Sequence, residues 1–144
     1  MSTIDPSKIP GLRPEVADQL LADKLGIEVT EWDKSRLVAT MPVKGNLQPY
    51  GLLHGGASAV LAETLGSIAA ALNAPEGKLV VGLELSCTHH RAAREGLVTA
   101  VCTPLHVGRS TSTFEIVMTE DSGKRTCTAR LTCVALDRAP GDKG

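Results

Sequence analysis

Between Lys44 and Glu76 the sequence carries one formally charged side chain, Glu63. The run over residues 53–73 is built from Ala, Leu and small residues. It is closed by Asn73-Ala74-Pro75-Glu76-Gly77, and this predicts a single long helix. A helix that is apolar all round must be covered all round. That demand constrains the fold more than any other feature, because something has to wrap this segment. The same run, with His54, Glu63 and several small polar residues, makes a poor membrane span.

The rest of the chain supplies the wrapping. Residues 79, 81, 83, 85 and 87 are apolar at every second position, and 96–107 reads as a further strand. Ser112, Phe114, Ile116 and Met118 alternate against Thr and Glu. After an Asp121-Ser122-Gly123 turn, Cys127, Ala129, Leu131, Cys133 and Ala135 alternate against Thr and Arg. Period two means one buried face. Ahead of the helix, 27–32 and 36–42 read as two strands joined at Asp33-Lys34-Ser35, and 14–25 as a short helix stopped by Gly26. The expectation is an α+β chain with a sheet of about six antiparallel strands curled around one helix. One sheet covers only part of the helix, so a partner subunit is expected on the other side.

At 144 residues the chain is expected to be one domain, 1–144, with a core over 26–137 and a flexible tail over 138–144. Its formal net charge of −1 lacks the electrostatic footprint of a general nucleic-acid binder, and its single Trp, Tyr and Phe offer no stacking platform. The first residues lack the basic and apolar regions of a signal peptide. Four cysteines stand in apolar-alternating segments without C-x-x-C spacing, which reads as free thiols in a reducing compartment. A cytoplasmic protein without membrane attachment is expected.

Glu63 has small or apolar residues at its helical neighbour positions, apart from Ser67 one turn on, so it does not belong to a solvated stripe. A carboxylate in apolar surroundings is a functional candidate. Just before the helix stands Gln48-Pro49-Tyr50-Gly51-Leu52-Leu53-His54-Gly55-Gly56. The free N–H groups of a helix start stabilise an anion or a polarised carbonyl oxygen, and glycines there let a ligand approach the backbone. Gly55 and Glu63 are separated by about 12 Å along one helix, too far to touch the same carbonyl. If both act on one substrate they come from different chains, which is a second argument for a dimer. His90, Arg91, Gly108, Arg109 and Ser110 form a set suited to phosphate. His54, His89, His90 and Glu63 show no metal-type spacing, and no metal is expected.

The run over residues 48–58, with Glu63 eight positions after Gly55, resembles the hotdog-fold acyl-CoA thioesterases of the PaaI type. Gly82-Leu83-Glu84-Leu85, Thr88-His89-His90-Arg91 and Pro104-Leu105-His106-Val107-Gly108-Arg109 narrow the resemblance. They point to the bacterial branch with 1,4-dihydroxy-2-naphthoyl-CoA hydrolase and the enterobactin-pathway proofreading thioesterase. The resemblance implies a hydrolase of a CoA thioester, aryl-CoA by preference, with carrier-protein thioesters as an option. It implies no cofactor beyond the coenzyme A of the substrate, and dimers pairing into a homotetramer.

Carried over by motif, Glu63 is the catalytic base or nucleophile and Ser67 positions water. Gly55 N–H and Gln48 bind the thioester carbonyl, and His54 assists there or at the departing thiolate. His89, Gly82, Ile68 and Val60 line the acyl pocket. His90, Arg91, Gly108, Arg109 and Ser110 hold CoA. An enoyl-CoA hydratase and a non-catalytic acyl-CoA sensor are the alternatives on the same fold.

Overall fold

The structure is a computed structural model and describes residues 5–9, 11–138 and 140–142. In chain order, two 3₁₀ turns (Pro6–Lys8 and Pro14–Val16) and one α-helical turn, α1 (Leu21–Lys24), lead into strands β1 (Glu28–Asp33) and β2 (Arg36–Pro42). Helix α2 (Gly55–Asn73) follows, then β3 (Leu79–His89), β4 (Leu97–Val107), β5 (Thr111–Glu120) and β6 (Arg125–Leu136).

The continuous helix expected over 14–25 is not formed. The chain breaks at residues 18–20, where Leu20 is extended and α1 starts afresh. So short a helix survives only by packing, and Ala22 is its one buried side chain. Gly26 ends it as expected, at φ +73°. Of the expected tail, residues 139, 143 and 144 lie outside the described residues.

All six strands form one antiparallel sheet in the order β1-β2-β4-β5-β6-β3. The inner face is the alternating set read from the sequence. Leu37, Ala39 and Met41 of β2, Val98, Ala100 and Cys102 of β4, Phe114, Ile116 and Met118 of β5, and Cys127, Ala129, Leu131 and Cys133 of β6 are all buried. Against them lies α2, which buries Leu61, Ala62, Leu65, Ile68, Ala69 and Ala70. The β1–β2 turn is closed by Asp33, whose Oδ1 accepts the Ser35 N–H at 2.8 Å.

Edge strand β3 departs from the expected alternation. Its register slips between Gly82 and Glu84. Gly82 stands opposite Cys133, but beyond the slip Leu85, Cys87 and His89 stand opposite Leu131, Ala129 and Cys127. Leu83 is the bulged residue and is 65% exposed. A glycine inside a strand is the sequence mark of such a bulge.

By length and composition α2 would also pass for a membrane span, but half of its most apolar stretch is buried within the chain. It ends because Ala74 precedes Pro75, which forces an extended backbone (ψ 151°). Asn73 ties that end down, donating to Lys34 O and Ala69 O, each at 2.8 Å. Mid-helix, Gly66 rests directly on β6: a Cβ there would stand 2.6 Å from Leu131 Cδ2 and 3.1 Å from Leu131 Cβ. Gly66→Val should therefore destabilise the fold by about 1–3 kcal/mol through overpacking. The check is a urea titration, with the midpoint lowered and the slope unchanged.

Candidate active site

The entry to α2 is built by its own loop. His54 is the N-cap; its Nδ1 accepts the Gly56 N–H at 2.8 Å, and its carbonyl accepts Ala57 N–H at 3.0 Å and Ser58 N–H at 3.4 Å. With His54 N–H bonded to Asn46 O at 2.8 Å, three of the four donors that a helix start leaves open, those of His54, Gly56 and Ala57, are satisfied. The fourth, Gly55 N–H, has no acceptor among the described residues. With Nδ1 accepting, the neutral His54 ring carries its proton on Nε2, which remains free to donate.

A cleft of about 390 Å³ opens at this point, lined among others by Gln48, Gly55, Ser58, His89, His90 and Arg91. His89 reaches Gly55 from β3. Its Nε2 lies 3.2 Å from where a Gly55 Cβ would stand, so glycine is what permits the approach. Gln48 Oε1 accepts the Tyr50 N–H, which leaves its NH₂ unengaged among the described residues. His90 Nε2 is 2.9 Å from Thr128 Oγ1. His90 and Arg91 are fixed by their backbone N–H groups on Thr126 O, at 2.8 and 3.3 Å.

One residue that sequence reasoning passed over holds this loop. The Asn46 side-chain amide donates to Leu25 O and Pro42 O, both at 2.8 Å. Its backbone N–H bonds Val43 O at 3.0 Å, and its carbonyl accepts the His54 N–H at 2.8 Å. Asn46 thus joins the end of α1, the end of β2 and the residue before Gly55. In the sequence an asparagine between Gly45 and Leu47 reads as turn punctuation, and nothing local marks it as a clamp.

The second group of candidates lies farther along α2, in its seam with β3. The Glu63 carboxylate lies directly over Gly82, where any Cβ would overlap its Oε1. It is half-buried, on the less covered face of α2 with Ala59, Val60, Thr64 and Ser67, and has no hydrogen-bond or ion-pair partner among the described residues. Apolar clefts flank it. On one side Ala59, Val60, Thr64 and Leu85 line a shallow one. On the other, a cavity begins at Ser67 and Ile68.

The Ser67 hydroxyl stands beside the Cys133 thiol. Burial pushes that thiol up to about 11, and the Glu63 charge adds to the effect. Burial likewise raises Cys102 and Cys127 to about 12 each, and moves Cys87 upward. A thiol so held is protonated at neutral pH and is no nucleophile. That leaves the Glu63 carboxylate as the acidic side chain of this seam that is not a buried thiol.

The third group, Gly108, Arg109 and Ser110, sits at the β4–β5 hairpin. Ser110 O accepts Ala135 N–H at 2.8 Å, near the C-terminal end of β6. His90 and Arg91 bond Thr126, at the other end of β6. At ~3.3 Å per residue those ends are about 30 Å apart. Within one chain the structure brings Gln48, Gly55, His89, His90 and Arg91 together, and Glu63 with Gly82 and Ser67. Val60 and Ile68 fall on opposite sides of Glu63, and His89 belongs with Gly55 rather than with them.

A helix wrapped by a six-stranded antiparallel sheet has counterparts among known proteins. The model of the thioesterase superfamily matches residues 50–127, more than half of the chain. Proofreading thioesterase EntH of Cronobacter turicensis is 51% identical over 117 residues, covering 81% of this chain and 85% of that protein. The EntH of Klebsiella pneumoniae is 48% identical over 121 residues, 83% and 88% of the two chains. Among solved structures, a thioesterase from Haemophilus influenzae superposes with a TM-score of 0.81 at 38% identity, over 89% of this chain and 91% of that one. The PaaI protein of E. coli superposes at 0.72 with 26% identity, over 80% and 83%. The chain belongs to the thioesterase superfamily and has its hotdog fold. It is a thioester hydrolase.

Two outcomes follow from the site's geometry. Asn46→Ala should cost about 1–3 kcal/mol of stability, because it strands the Leu25 and Pro42 carbonyls; chemical denaturation measures it. The thiols give a pH dependence of known sign. Their folded values lie above the ordinary 9.0, so the folded state holds protons that the unfolded state releases. Their contribution is complete below pH 9 and is lost as pH rises toward 11 to 12. Melting temperature should fall over that window, and less steeply in a Cys102→Ala variant compared with its own value at pH 8.

Proposed function

We propose that the protein hydrolyses a coenzyme A thioester at a site shared by two subunits, with Glu63 of one facing Gly55 of the other. The observation that carries this reading is the Glu63 carboxylate, unpartnered over Gly82 and one turn from the Ser67 hydroxyl, on the same helix as a free Gly55 N–H about 12 Å away. The EntH and PaaI-type likenesses support it.

Edge strand β3 supplies the means of pairing. Among the described residues one side of it has no strand neighbour, and Gly82, Leu83 and Glu84 at its middle are exposed. An open edge of this kind is a template for another chain. Antiparallel pairing of two β3 strands turns the His89 end of one toward the Leu79 end of the other. Gly55 and Gln48 of one subunit then approach Glu63 and Ser67 of the second, twice per dimer. The same operation carries the partner subunit's Gly108, Arg109 and Ser110 to the sheet end that bears His90 and Arg91. That offset is about 14 Å, three strand spacings, instead of about 30 Å along β6. These five residues then hold the phosphates and pantetheine arm of CoA. Two such dimers associate as a homotetramer, in the cytoplasm.

In the reaction Glu63 takes a proton from water held by Ser67, or its carboxylate attacks the thioester directly. An oxygen–carbon bond forms at the acyl carbon, negative charge develops on the carbonyl oxygen, and Gly55 N–H and the Gln48 NH₂ receive it. The C–S bond breaks and the thiolate leaves with help from His54 Nε2–H; the acid departs at once on the water route, and on the direct route after a water hydrolyses the Glu63–acyl anhydride and restores the carboxylate. A thiolate is a good leaving group, which is why one carboxylate suffices. His89, Gly82, Ile68 and Val60 surround the acyl group, an aryl group such as 1,4-dihydroxy-2-naphthoyl, benzoyl or phenylacetyl. Carrier-protein thioesters share the pantetheine arm and are substrates of the same chemistry.

Glu63→Gln should lower kcat by ~10²–10⁴ with the fold intact, and Gln48→Ala by ~10²–10³. The decisive experiment coexpresses the two variants. If each site draws Glu63 and Gln48 from different chains, mixed dimers regain one intact site, and activity returns to a substantial fraction of wild type. No recovery in purified mixed dimers rejects the shared site, and near-normal turnover by Glu63→Gln rejects the role of the carboxylate.

A further inference from the structure

The two donors assigned to the thioester carbonyl are held in different ways. Gly55 N–H belongs to the first turn of α2, which the bonds around His54 fix. Gln48 stands on a small hairpin over residues 46–54. Asn46 O accepts the His54 N–H at 2.8 Å, Leu47 and Leu53 form an antiparallel bridge, and Leu52 O accepts the Gln48 N–H at 2.8 Å. Gln48 O closes the tip by accepting the Gly51 N–H at 3.0 Å. Every hydrogen bond that Gln48 makes among the described residues, including that of its Oε1 with the Tyr50 N–H, stays inside this hairpin. The tip stands clear of the body, with Tyr50 87% exposed. The place of Gln48 is therefore set by how the hairpin is fastened.

The return arm is tied by Leu53 N–H to Ala93 O at 2.9 Å, and runs into the helix at His54. The outgoing arm is tied by Asn46. Its backbone N–H bonds Val43 O, and its side-chain amide donates to Leu25 O and Pro42 O, both at 2.8 Å. Both of those acceptors are firmly seated. Pro42 lies between Met41 and Val43, which are fully buried, and Gly26, next to Leu25, packs so closely on Pro42 that a Cβ would stand 2.9 Å from its Cγ.

We propose that Asn46 is a positioning residue for thioester hydrolysis, whose side-chain amide holds the Gln48 NH₂ in register with the Gly55 N–H. The inference rests on the reading of Gln48 and Gly55 as carbonyl-binding donors and adds what sets their relative position. Without that amide the outgoing arm keeps only backbone bonds, and the hairpin turns about its return arm. Gln48 is two residues, about 7 Å, beyond the tether, so a small rotation at Asn46 is amplified at the Gln48 side chain. A misplacement of about 1 Å at the reacting groups costs on the order of 10²-fold in rate. The Asn46 amide, engaged with two carbonyls, does not touch the substrate and acts through Gln48.

The test is a double-mutant cycle on benzoyl-CoA hydrolysis, with each variant assayed at a temperature where circular dichroism shows it folded. Asn46→Ala should lower kcat by ~10²-fold, approaching the loss in Gln48→Ala. In the Asn46→Ala/Gln48→Ala double variant kcat should stay within about threefold of Gln48→Ala alone, because no amide is then left to place. The inhibition constant of free CoA should not change in Asn46→Ala, since His90 and Arg91 are tied to Thr126 O and not to the hairpin. If Asn46→Ala does not fold, Asn46→Ser takes its place: a single hydroxyl proton cannot serve both carbonyls, and the same pattern is expected with a smaller loss. Losses that multiply in the double variant, CoA binding that weakens in step with kcat, or a wild-type kcat in the folded Asn46 variant each overturn the proposal. Wild-type turnover by Gln48→Ala overturns the assignment of Gln48 itself and the positioning role with it. An impaired Gln48→Ala beside a fully active Asn46→Ala removes the positioning role alone.

Discussion

Everything in this fold depends on covering a helix that has no polar side to turn toward water. Six strands curl around α2, and their inner faces are filled by residues whose alternation is set by the pleat. The contact is close enough to require Gly66 against Leu131. Burial of this helix fixes its direction and its ends. A fixed helix start is in turn what gives Gly55 a stationary N–H, because the capping bonds from His54 hold only while the first turn is held. The stability of the core and the geometry of the candidate site are the same property seen at two places on one element.

The seam between α2 and β3 shows how a local irregularity serves a site. A regular β3 would present a side chain to the helix at every second residue. Gly82 removes one, and the Glu63 carboxylate occupies the space. The bulge at Leu83 then resets the strand, so that Leu85, Cys87 and His89 still face inward and His89 still reaches Gly55. Without the reset, His89 would point away from the helix start. One extra residue in an edge strand therefore separates the carboxylate half of the site from the amide half while keeping both on the inner face.

Much of this was legible in residue order. Alternation in β2, β4, β5 and β6 identifies the buried face, and the lack of charge around Glu63 identifies the covered helix. The eight-residue interval from Gly55 to Glu63 already separates the two halves of chemistry. Legibility ends where a contact joins distant segments. Residues 14–25 carry a helical pattern, but what decides their conformation is docking, and the pattern breaks at Leu20. The parity change at Leu83 depends on the partner strand. The commitment of His54 Nδ1 to the Gly56 N–H, which leaves Nε2 as the donor, is not visible in residue order. Asn46 looks like a turn residue because the three segments it joins are far apart in the chain.

The thiols narrow the chemistry further than their placement alone suggests. Four cysteines line or approach the inner face, and two of them lie within the electrostatic reach of Glu63. In another setting such a group would be a candidate nucleophile. Here burial keeps each protonated, and the negative carboxylate keeps Cys87 and Cys133 more so. A positive neighbour would have the opposite effect and activate a thiolate. The carboxylate and the thiols are therefore not alternatives for the same role. Burial is the larger cause and the Glu63 charge the smaller, so the seam offers no thiolate to compete with an oxygen nucleophile.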